Sequence, residues 1–304
     1  MPKLKTFISL LKTPYKMIEP LGAMGLLNWI PDAPYLKLVY RGELGKKLDL
    51  KAPQTFNEKL QWLKLNDRKP IYHKIVDKYD VKEYVSETIG KEYIIPTLGV
   101  WKNTEEIPFE ELPDKYVLKC THDSGSIVIC RNRAQFDKEK AKQTLKKAMK
   151  KSTYWFGREW PYKGLTPRII AEPYLEDQSV GELRDYKFFC FNGKVKCFKV
   201  DFDRFTNHGA NYFDPDGNYL VLGEVVCPPN PEKNIELPGN LDRMLELAER
   251  LSKGYPFLRV DFYNADGHIY FGELTLYPAS GLLEFYYPGN DEMLGSWLKL
   301  PDQT

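Results

Sequence analysis

Hydrophobic residues in the first ninety positions recur at helical spacing and are interrupted by prolines. The pattern predicts a helix over NEKLQWLKL (57–65), after a turn at LKAPQTF (50–56). It predicts a second, amphipathic helix over IVDKYDVKEYVSETIG (75–90), with Gly90 as its C-terminal cap. The run YIIPTLGVW (93–101) is typical of a short strand. The first part of the chain is therefore expected to be largely helical.

From residue 116 the pattern changes to short β-branched and aromatic runs separated by polar turns. These runs are YVLKC (116–120), SIVIC (126–130), RIIAEPYL (168–175) and DYKFFCFNGKVKCFKVDF (185–202). A lysine-rich helix is predicted over 137–151, with Asp137 as its N-cap. Another helix is predicted over 240–254, with Asn240 as its N-cap and Gly254 as its stop. Strands mixed with a few helices predict an α+β chain with largely antiparallel sheets.

The composition is that of an ordinary globular protein. Its 304 residues suffice for one large domain or two to three small ones, and 42% are hydrophobic and 28% charged. The net charge of +2 argues against a dedicated nucleic-acid binder, although residues 1–90 carry 16 Lys/Arg against 10 Asp/Glu. We interpret this excess as a solvated basic face. The alternative is a surface for an anionic partner, such as a sugar nucleotide or a membrane.

Five cysteines occur without any C-x-x-C pair, and four of them lie in apolar, strand-like runs. They are Cys120, Cys130, Cys190, Cys197 and Cys227. This pattern predicts buried, reduced thiols in a cytosolic protein, with neither a disulfide framework nor a zinc site.

The longest apolar stretch, LGAMGLLNWI (21–30), has ten residues and is too short to span a bilayer. No cleavage-type signal precedes it. Together with Phe7, Leu10, Leu11 and Ile18 it could form a helix that lies on a membrane surface. A helix docked against the core is the interpretation that we favour.

The stretches LRVDFY (258–263) and IYFGELTL (269–276) flank the turn sequence NADG and predict a β-hairpin. Side chains alternate along a strand, so Arg259 and Asp261 share one face of the first strand.

On the second strand, Glu273 and Thr275 share a face. A two-residue turn would place them opposite the face of Arg259 and Asp261. A five-residue loop, 264–268, would set Glu273 opposite Arg259 with Asp261 as its diagonal neighbour, at a Cα spacing of roughly 7–8 Å. One Mg²⁺ with oxygen ligands at about 2.0–2.1 Å can bridge two carboxylates across that spacing. The alternative is a solvent-facing ion pair, and the hairpin alone leaves both open.

The stretch YVLKCTHDSGSIVIC (116–130) predicts a hairpin with Lys119 on its first strand and Ser124-Gly125-Ser126 at its tip. Backbone N–H groups at such a tip can contact phosphate oxygens, and the lysine supplies a positive charge. The alternative is an ordinary turn with an exposed lysine. His122 and Asp123 are interpreted as polar loop residues and not as a catalytic pair. No P-loop or Rossmann glycine motif occurs in the chain.

The stretch RIIAEPYLED (168–177) predicts an apolar strand that runs into a proline hinge. The hinge residues are Glu172, Pro173, Tyr174 and Leu175. Free backbone groups there could bind the amino group and ring nitrogen of adenine, with Tyr174 or Leu175 as an apolar wall. The alternative is a simple linker.

In this order, the lysine, the glycine hairpin, the E-x-x-L hinge and the R-x-D and E-x-T strands resemble the ATP-grasp superfamily. Four further stretches resemble its TupA-like family, from teichuronopeptide and surface-polysaccharide loci. They are TFNEKLQWLKL, DKYDVKEYV, LRDYKFFCFNGK and GELTLYPASG, and the similarity covers about residues 40–285. The resemblance implies a fold in which two α+β subdomains clasp ATP between a glycine hairpin and a metal-bearing sheet.

The resemblance also implies roles for single residues around the nucleotide. Lys78 and Lys119 match the two lysines at the α- and β-phosphates. The phosphate-covering loop matches Ser124, Gly125 and Ser126. The adenine hinge matches Glu172, Pro173, Tyr174 and Leu175.

The metal carboxylates of the superfamily match Asp261 and Glu273. Thr275 stands where the superfamily usually has an asparagine, and its hydroxyl is a weaker neutral ligand. Four further residues lie where phosphate or acceptor contacts are expected: Arg184, Lys187, Asp203 and Arg204.

The domain organisation expected from the resemblance has four parts. They are a helical N-terminal extension (1–70), a preceding segment (71–115), a small subdomain with the glycine hairpin (116–175) and a large subdomain with the metal site (176–304). The aromatic residues Trp155, Phe156, Trp160 and Tyr162 are expected to pack in the core, with sugar stacking as the alternative.

The implied activity is that of an ADP-forming carboxylate–amine ligase that uses ATP and Mg²⁺. Lys119, Arg204 and Arg259 would act in catalysis, with Arg259 holding the developing oxyanion. The expected substrates are a uronic acid, nucleotide- or lipid-linked, and an amine or amino acid, joined during surface-polysaccharide biosynthesis. The protein would work in the cytoplasm without a nucleic-acid partner, with a possible peripheral contact at the inner face of the membrane through its N-terminal segment.

Two other functions stay open. A glycosyltransferase would need a D-x-D metal motif, and Asp201 and Asp203 satisfy that spacing. A phosphotransferase on the same scaffold would stop at a phosphorylated product.

Overall fold

The computed structural model of the chain describes residues 18–177, 183–204 and 206–302. Its helices are α1 (Ile18–Ala23), α2 (Asp32–Leu44), α3 (Phe56–Asn66), α4 (Ile71–Val76), α5 (Val81–Thr88), α6 (Lys138–Met149), α7 (Thr153–Gly157), α8 (Leu241–Ser252) and α9 (Asn290–Trp297). Its strands are β1 (Gly99–Trp101), β2 (Tyr116–Cys120), β3 (Ile127–Cys130), β4 (Ile169–Pro173), β5 (Arg184–Phe191), β6 (Lys194–Phe202), β7 (Gly209–Phe213), β8 (Tyr219–Leu220), β9 (Phe257–Ala265) and β10 (His268–Thr275).

The strands form two antiparallel sheets. The small sheet has the order β1-β4-β2-β3, and the large sheet has the order β10-β9-β5-β6-β7-β8. Helices and antiparallel sheets together confirm the predicted α+β class. The four domain boundaries drawn from the sequence stay predictions.

Helix α3 is the helix predicted over 57–65, and a capping box fixes its start. The side chain of Thr55 accepts the N–H of Glu58, and the Glu58 carboxylate accepts the N–H of Thr55. The ring of Phe56 lies 5.0 Å from that of Phe257 and 5.8 Å from that of Phe191. Helix α3 is thereby packed against one end of the large sheet.

The single helix predicted over 75–90 is wrong, because the chain breaks between α4 and α5. The side chain of Asp77 accepts the N–H groups of Tyr79 at 2.9 Å and Asp80 at 3.0 Å, which competes with helical hydrogen bonding. Gly90 is not the cap either, since α5 ends at Thr88 and Gly90 has φ 120° and ψ 150°. The break frees Lys78 from any helix.

The small sheet contains the predicted hairpin of residues 116–130 as β2 and β3, and the predicted strand of residues 168–175 as β4. The strand predicted over 93–101 is limited to β1. Helix α6 packs on this sheet through Leu145 and Ala148. Asp137 caps it as predicted, by accepting the N–H of Lys140 at 2.9 Å.

The large sheet has two unlike faces, since side chains alternate along its strands. One face packs against α8, where the Cys190 Sγ lies 3.8 Å from the carbonyl oxygen of Ala248. The opposite face is aromatic at the end near α3. At its other end it is charged, with Lys187 on β5 and Asp261 on β9. The sheet therefore presents a charged half-face beside its core.

Helix α8 forms as predicted, but Asn240 does not cap it. The Asn240 side chain accepts a hydrogen bond from Asn264 Nδ2 at 2.7 Å and donates one to the Gly267 carbonyl at 2.9 Å. A contact with the β9–β10 turn thus takes the place of the local cap. Gly254 lies just beyond the helix in a left-handed conformation, with φ 86°.

The apolar stretch of residues 21–30 is only partly docked. Leu21 is half-buried, whereas Met24, Leu26 and Trp29 are 72%, 60% and 79% exposed. The expectation of a helix docked against the core is therefore wrong for these three side chains. Phe7, Leu10 and Leu11 lie outside the described residues. Within the described ranges, no helix is both long and apolar enough to cross a membrane.

All five cysteines are free and buried, as the sequence predicted.

Candidate functional site

The β9–β10 hairpin does not have the five-residue loop that would by itself have set Asp261 and Glu273 on one face. Ala265 pairs with His268 across a two-residue turn, which alone would place Glu273 on the opposite face from Asp261. The register then shifts by one residue between Phe271 and Glu273. This β-bulge brings Glu273 directly opposite Asp261.

Gly272 is the extra residue of the bulge. A Cβ atom there would lie 3.1 Å from the backbone oxygen of Asp261 and 3.3 Å from Cε2 of Tyr263. Both distances are tighter than ordinary contacts, so a side chain would push β10 away from β9. Glycine therefore permits the register that aligns the two carboxylates.

Arg259 links these carboxylates. Its Nε and Nη2 lie 2.7 Å from the two oxygens of Asp261, and Nη2 lies 2.6 Å from Oε1 of Glu273. Thr275, which pairs with Arg259 across the strands, donates a hydrogen bond to Glu273 at 3.1 Å. The three predicted metal ligands and the predicted catalytic arginine thus form one cluster.

The two carboxyl groups differ in pKa. Burial raises the pKa of Asp261 to about 6, although Arg259 and Lys187 oppose this rise. The protein around Glu273 displaces water from its carboxyl group, which by itself would also raise the pKa of Glu273. The charges of Arg259, Lys78 and Lys187 outweigh it and lower the pKa below its ordinary value. Glu273 is 45% exposed and Asp261 only 4%, so Glu273 lies at the open side of the cluster.

A charged row crosses the large sheet from this cluster. Glu273, Asp261, Lys187, Lys199 and Tyr212 are paired in register from β10 to β7. Lys187 Nζ lies 3.5 Å from Asp261, and Lys199 is ion-paired to Glu224 at 2.9 Å. The sequence analysis identified Lys187 but not Lys199. Lys199 could have been identified from its place in the alternating strand sequence KCFKVD.

Two further aspartates surround Lys187. Its Nζ is ion-paired to Asp185 and lies 3.3 Å from Asp201. Burial opposes ionisation of Lys187, but these aspartates and Asp261 raise its pKa above the ordinary value. One oxygen each of Asp185 and Asp201 lacks a hydrogen-bond donor among the described residues. Sequence reasoning missed Asp185.

The D-x-D spacing does not produce a shared site. Asp201 faces Lys187, whereas Asp203 is turned into a left-handed conformation, with φ 52°, and is paired with Lys233 at 2.7 Å. Within residues 18–177, 183–204 and 206–302, no group of three or more His, Cys, Asp or Glu side chains is arranged to hold a metal ion. The paired carboxylates of Asp261 and Glu273 still fit a hard cation that takes its other oxygens from phosphates and water.

The two predicted phosphate lysines lie on the small-sheet side. Lys78 Nζ donates to the carbonyl oxygens of Cys120, at 3.2 Å, and Asp123. Burial lowers the pKa of Lys78, while Glu273 and Asp123 oppose this. Lys119 is ion-paired to Glu172 at 2.8 Å. Both lysines are therefore held by the hairpin of residues 116–130 and by the strand beside it.

Glu172 has a second partner that the sequence did not suggest. Lys82 Nζ lies 2.6 Å from its carboxylate and also donates to the Ile95 carbonyl at 2.8 Å. The Glu172 carboxylate is thus held between Lys82 and Lys119. Its backbone pairs with Val117 in the small sheet.

The tip of the small-sheet hairpin is partly fixed by its own contacts. Gly125 has φ 95°, which glycine adopts without strain. The hydroxyl of Ser126 donates to Asp123 at 2.5 Å and accepts the N–H of Cys120 at 3.1 Å. Ser124 and Gly125 are exposed. The ring nitrogens of buried His122 have no hydrogen-bond partner among the described residues.

A cavity of about 790 Å³ lies between the two sheets. Seven of the predicted site residues line it: Lys119, Glu172, Pro173, Tyr174, Leu175, Asp203 and Arg204. Val117, Ile127 and Ile129 of the small sheet form an apolar wall, and Tyr263 of the large sheet closes it. Tyr263 follows Asp261 by two residues on the same face of β9, so the cavity adjoins the charged cluster.

The aromatic residues before the hinge do not form one patch. The ring of Trp160 contacts that of His73 at a tilted angle, with centroids 4.2 Å apart, and Tyr162 packs against the large core. Trp155 lies over the guanidinium of Arg158 at 4.7 Å. Phe156 is partly exposed. Core packing, as expected, accounts for Trp160 and Tyr162.

The sequence profile of the TupA-like ATP-grasp family matches residues 58–299 of the chain. No curated protein sequence matches it. Among solved structures, the chain is similar to D-alanine–D-alanine ligase from Bacillus anthracis complexed with ATP, at 17% identity and a TM-score of 0.39, over 67% of this chain and 54% of that one.

It is also similar to phosphoribosylamine–glycine ligase from Thermotoga maritima, at 14% identity and a TM-score of 0.39, over 69% and 50% of the two chains. A biotin carboxylase–β,γ-ATP complex from Campylobacter jejuni matches at 15% identity and a TM-score of 0.39, over 81% and 49%. The chain spans about half the length of these three proteins.

Proposed function

Because the chain belongs to the TupA-like ATP-grasp family, we propose that it is an ATP-dependent ligase that joins a carboxylate to an amine. One observation carries this proposal. The cavity between the sheets is lined on one side by Lys119 and the hinge, and it adjoins the Asp261–Glu273 pair on the other side. A nucleotide in the cavity would therefore extend its phosphates toward two aligned carboxylates.

Asp261, Glu273 and Thr275 would hold the divalent cation. Their oxygens are the ligand type that Mg²⁺ prefers, and a bound Mg²⁺ neutralises charge on the phosphates during transfer. Arg259 is hydrogen-bonded to both carboxylates, so the arginine and the cation would have to share these carboxylates as partners. Glu273, at the open side, is the more accessible of the two.

In the first step, an oxygen of the substrate carboxylate would form a bond to the γ-phosphorus of ATP. The bond from that phosphorus to the β–γ bridging oxygen breaks, and ADP leaves with the electron pair. Lys78 and Lys119 would stabilise the negative charge on the phosphates. Lys119 would exchange its ion pair with Glu172 for a phosphate contact, while Lys82 remains to balance Glu172.

In the second step, the amine nitrogen would attack the carbonyl carbon of the acyl phosphate. Inorganic phosphate leaves with the electron pair of the broken C–O bond, and the amine loses a proton. Arg259 and Arg204 would balance the charge that develops on the carbonyl oxygen and on the departing phosphate. No nucleophilic side chain is required.

For the substrates, we propose a uronic acid on a sugar nucleotide or a lipid-linked glycan, and an amino acid or small amine. The basic first ninety residues and the family assignment support this choice.

The test supplies ATP, Mg²⁺, an amino-acid mixture and uronic acids in free, nucleotide-linked and glycan-borne form. Mass spectrometry should find an amide, and ADP release should require both the carboxylate and the amine. Lys119→Ala should lower the rate of product formation, and Lys146→Ala, which removes an exposed lysine of α6 outside the cavity, should not. A nucleoside diphosphate released from a sugar donor without ATP would instead establish a glycosyltransferase, and ADP release with a stable phosphorylated product a phosphotransferase.

We further propose that the protein works in the cytoplasm at the inner face of the membrane. Met24, Leu26 and Trp29 are exposed, and the adjoining residues 1–17 carry four lysines and no acidic residue. Exposed apolar side chains beside basic residues suit an anionic lipid surface. Sedimentation with phosphatidylglycerol vesicles should be lost in Trp29→Ser but not in Val226→Ser, which removes an equally exposed side chain elsewhere. Equal binding of both variants would contradict this location.

A further inference from the structure

A strained turn follows the strand that carries Glu273. Residues 278–281 form it, and three consecutive positions are left-handed: Ala279 with φ 45°, Ser280 with φ 56° and Gly281 with φ 63°. Residues other than glycine adopt this conformation only where their surroundings enforce it. Something outside the turn must therefore hold Ala279 and Ser280.

Helix α3 supplies the contacts. Asn57, Gln61 and Lys64 lie on one face of α3 at spacings of four and three residues, and all three are buried. We call them the α3 polar stripe. Gln61 Nε2 donates to the carbonyl oxygens of Ser280 at 2.9 Å and Gly281 at 2.7 Å. The stripe therefore binds the main chain of the turn.

The next contact of the α3 polar stripe continues the same pattern. Asn57 Nδ2 donates to the Leu283 carbonyl, and Asn57 Oδ1 accepts the Leu283 N–H, each at 2.9 Å. One helix face thus holds the backbone from residue 280 to residue 283.

Lys64 joins the turn to a second segment. Its Nζ donates to the Ser280 carbonyl at 2.7 Å, to the Ser280 hydroxyl at 2.9 Å and to the Gly157 carbonyl at 2.7 Å. Burial lowers the pKa of Lys64 to about 8, while nearby Glu159 opposes this. Burying a lysine is unfavourable unless its donors are satisfied, and here three oxygens satisfy them.

Two glycines allow this close approach. A Cβ at Gly281 would lie 2.7 Å from Gln61 Nε2, and a Cβ at Gly157 would lie 2.1 Å from the Ser280 hydroxyl. A side chain at either position would therefore displace the groups that hold the turn.

The held turn is not part of the wall of the nucleotide cavity. Neither residues 278–281 nor the stripe residues line that cavity. The turn begins three residues after Thr275, the last residue of β10, whose hydroxyl donates a hydrogen bond to Glu273 at 3.1 Å. The turn therefore directly follows the strand end that belongs to the charged cluster.

We propose that Asn57, Gln61 and Lys64 are positioning residues that fix the turn of residues 278–281 for the carboxylate and amine substrates. This inference rests on the proposed ligase function. It assigns the helical region before the ATP-binding part a role in catalysis, acting through the turn and touching no substrate itself.

The test uses two apolar replacements of similar volume, Gln61→Met and Lys64→Met. Each should lower kcat for amide formation by about tenfold or more, because small displacements of reacting groups have large effects on rate. The KM for ATP should change by less than about twofold, since the cavity is untouched. Adding Ala279→Gly should restore at least half of the lost rate, because glycine adopts the left-handed conformation without support.

Asn211→Leu is the matched control. Asn211 is buried, and its side chain makes two hydrogen bonds with the main chain of Asn230, at 2.7 and 2.8 Å. Asn57 makes the same two kinds of hydrogen bond with the main chain of Leu283. The loss of the Asn211 side chain should lower stability without the selective fall in kcat, and Ala279→Gly should not rescue it. If Lys64→Met does not fold, Lys64→Gln retains two donors and should give an intermediate kcat.

Hydrogen exchange separates this inference from the ligase proposal. The amides of residues 279–283 should exchange about tenfold faster in Gln61→Met than in the unchanged protein, whether or not a ligase reaction is found. Unchanged exchange there, or unchanged kcat in an active ligase, would overturn the positioning role. Absence of amide formation in the unchanged protein, with the exchange difference present, would refute only the proposed function.

Discussion

Replacing Arg259 by methionine tests how much this arginine stabilises the folded protein by pairing with Asp261 and Glu273. The substitution removes three charge-assisted hydrogen bonds, two to Asp261 at 2.7 Å and one to Glu273 at 2.6 Å. Removing one partner of a buried ion pair costs about 3–5 kcal/mol of unfolding free energy, because the other charge is left buried. Asp261 should account for most of this loss, since Glu273 is partly exposed.

The loss should depend on pH in a defined direction. The folded-state pKa of Asp261 is about 6 and lies above its unfolded value, so its stabilising contribution is present at low pH and lost as pH rises. Without Arg259 that folded-state pKa must rise further, because the largest influence that lowers it is gone. The variant should therefore keep losing stability between pH 6 and 8, by at most about 1.4 kcal/mol per pH unit.

Urea denaturation followed by circular dichroism, at pH 5, 6, 7 and 8, measures this difference. Arg259→Lys keeps one positive charge and should show a smaller loss. Arg243→Met removes an exposed arginine paired with Glu246 at 2.5 Å and should cost less than about 1 kcal/mol at every pH. An equal loss for Arg259→Met at pH 5 and pH 8 would refute the reasoning, since it would show that the buried carboxylate is not the cause.

Three further outcomes are expected at the site. Asp261→Asn and Glu273→Gln should each lower ADP release at least about 100-fold with an unchanged circular dichroism spectrum, and near-normal turnover at saturating Mg²⁺ would contradict the metal assignment. Lys119→Ala should weaken ATP binding by about tenfold in calorimetry, because one charge at the phosphates is lost; unchanged affinity and turnover would make Lys119 a surface lysine. Residues 120–130 should exchange amide hydrogens more slowly with ATP bound than without it, and equal exchange would argue against a closing hairpin.

Elements defined by neighbouring residues could be predicted from the sequence. The Asp137 cap and the hairpin of residues 116–130 both formed as expected. These features depend on hydrogen bonds and alternation within a few residues, so a local pattern suffices. The identity of Asp261 and Glu273 as a pair also followed from their motifs.

The geometry of that pair did not follow from the sequence. The five-residue loop that would have aligned the two carboxylates is absent, and a bulge at Gly272 aligns them instead. A bulge depends on how two strands fit, here on the space between Gly272 and the backbone of Asp261. A register shift of one residue moves every side chain of a strand to the opposite face of the sheet. The face that carries Glu273 could therefore be decided only by the assembled hairpin.

Only the tertiary structure decided the partners of distant residues. Glu172 lies between Lys82 and Lys119. The side chain of Asn240 is hydrogen-bonded to the β9–β10 hairpin and does not cap its own helix. Gln61 donates a hydrogen bond to a carbonyl group 219 residues away in the sequence. The sequence specified that these residues are polar and lie on helices or strands. It did not specify their partners. A buried polar group needs a hydrogen-bond partner, and the packing of the whole chain decides which group lies close enough to be that partner.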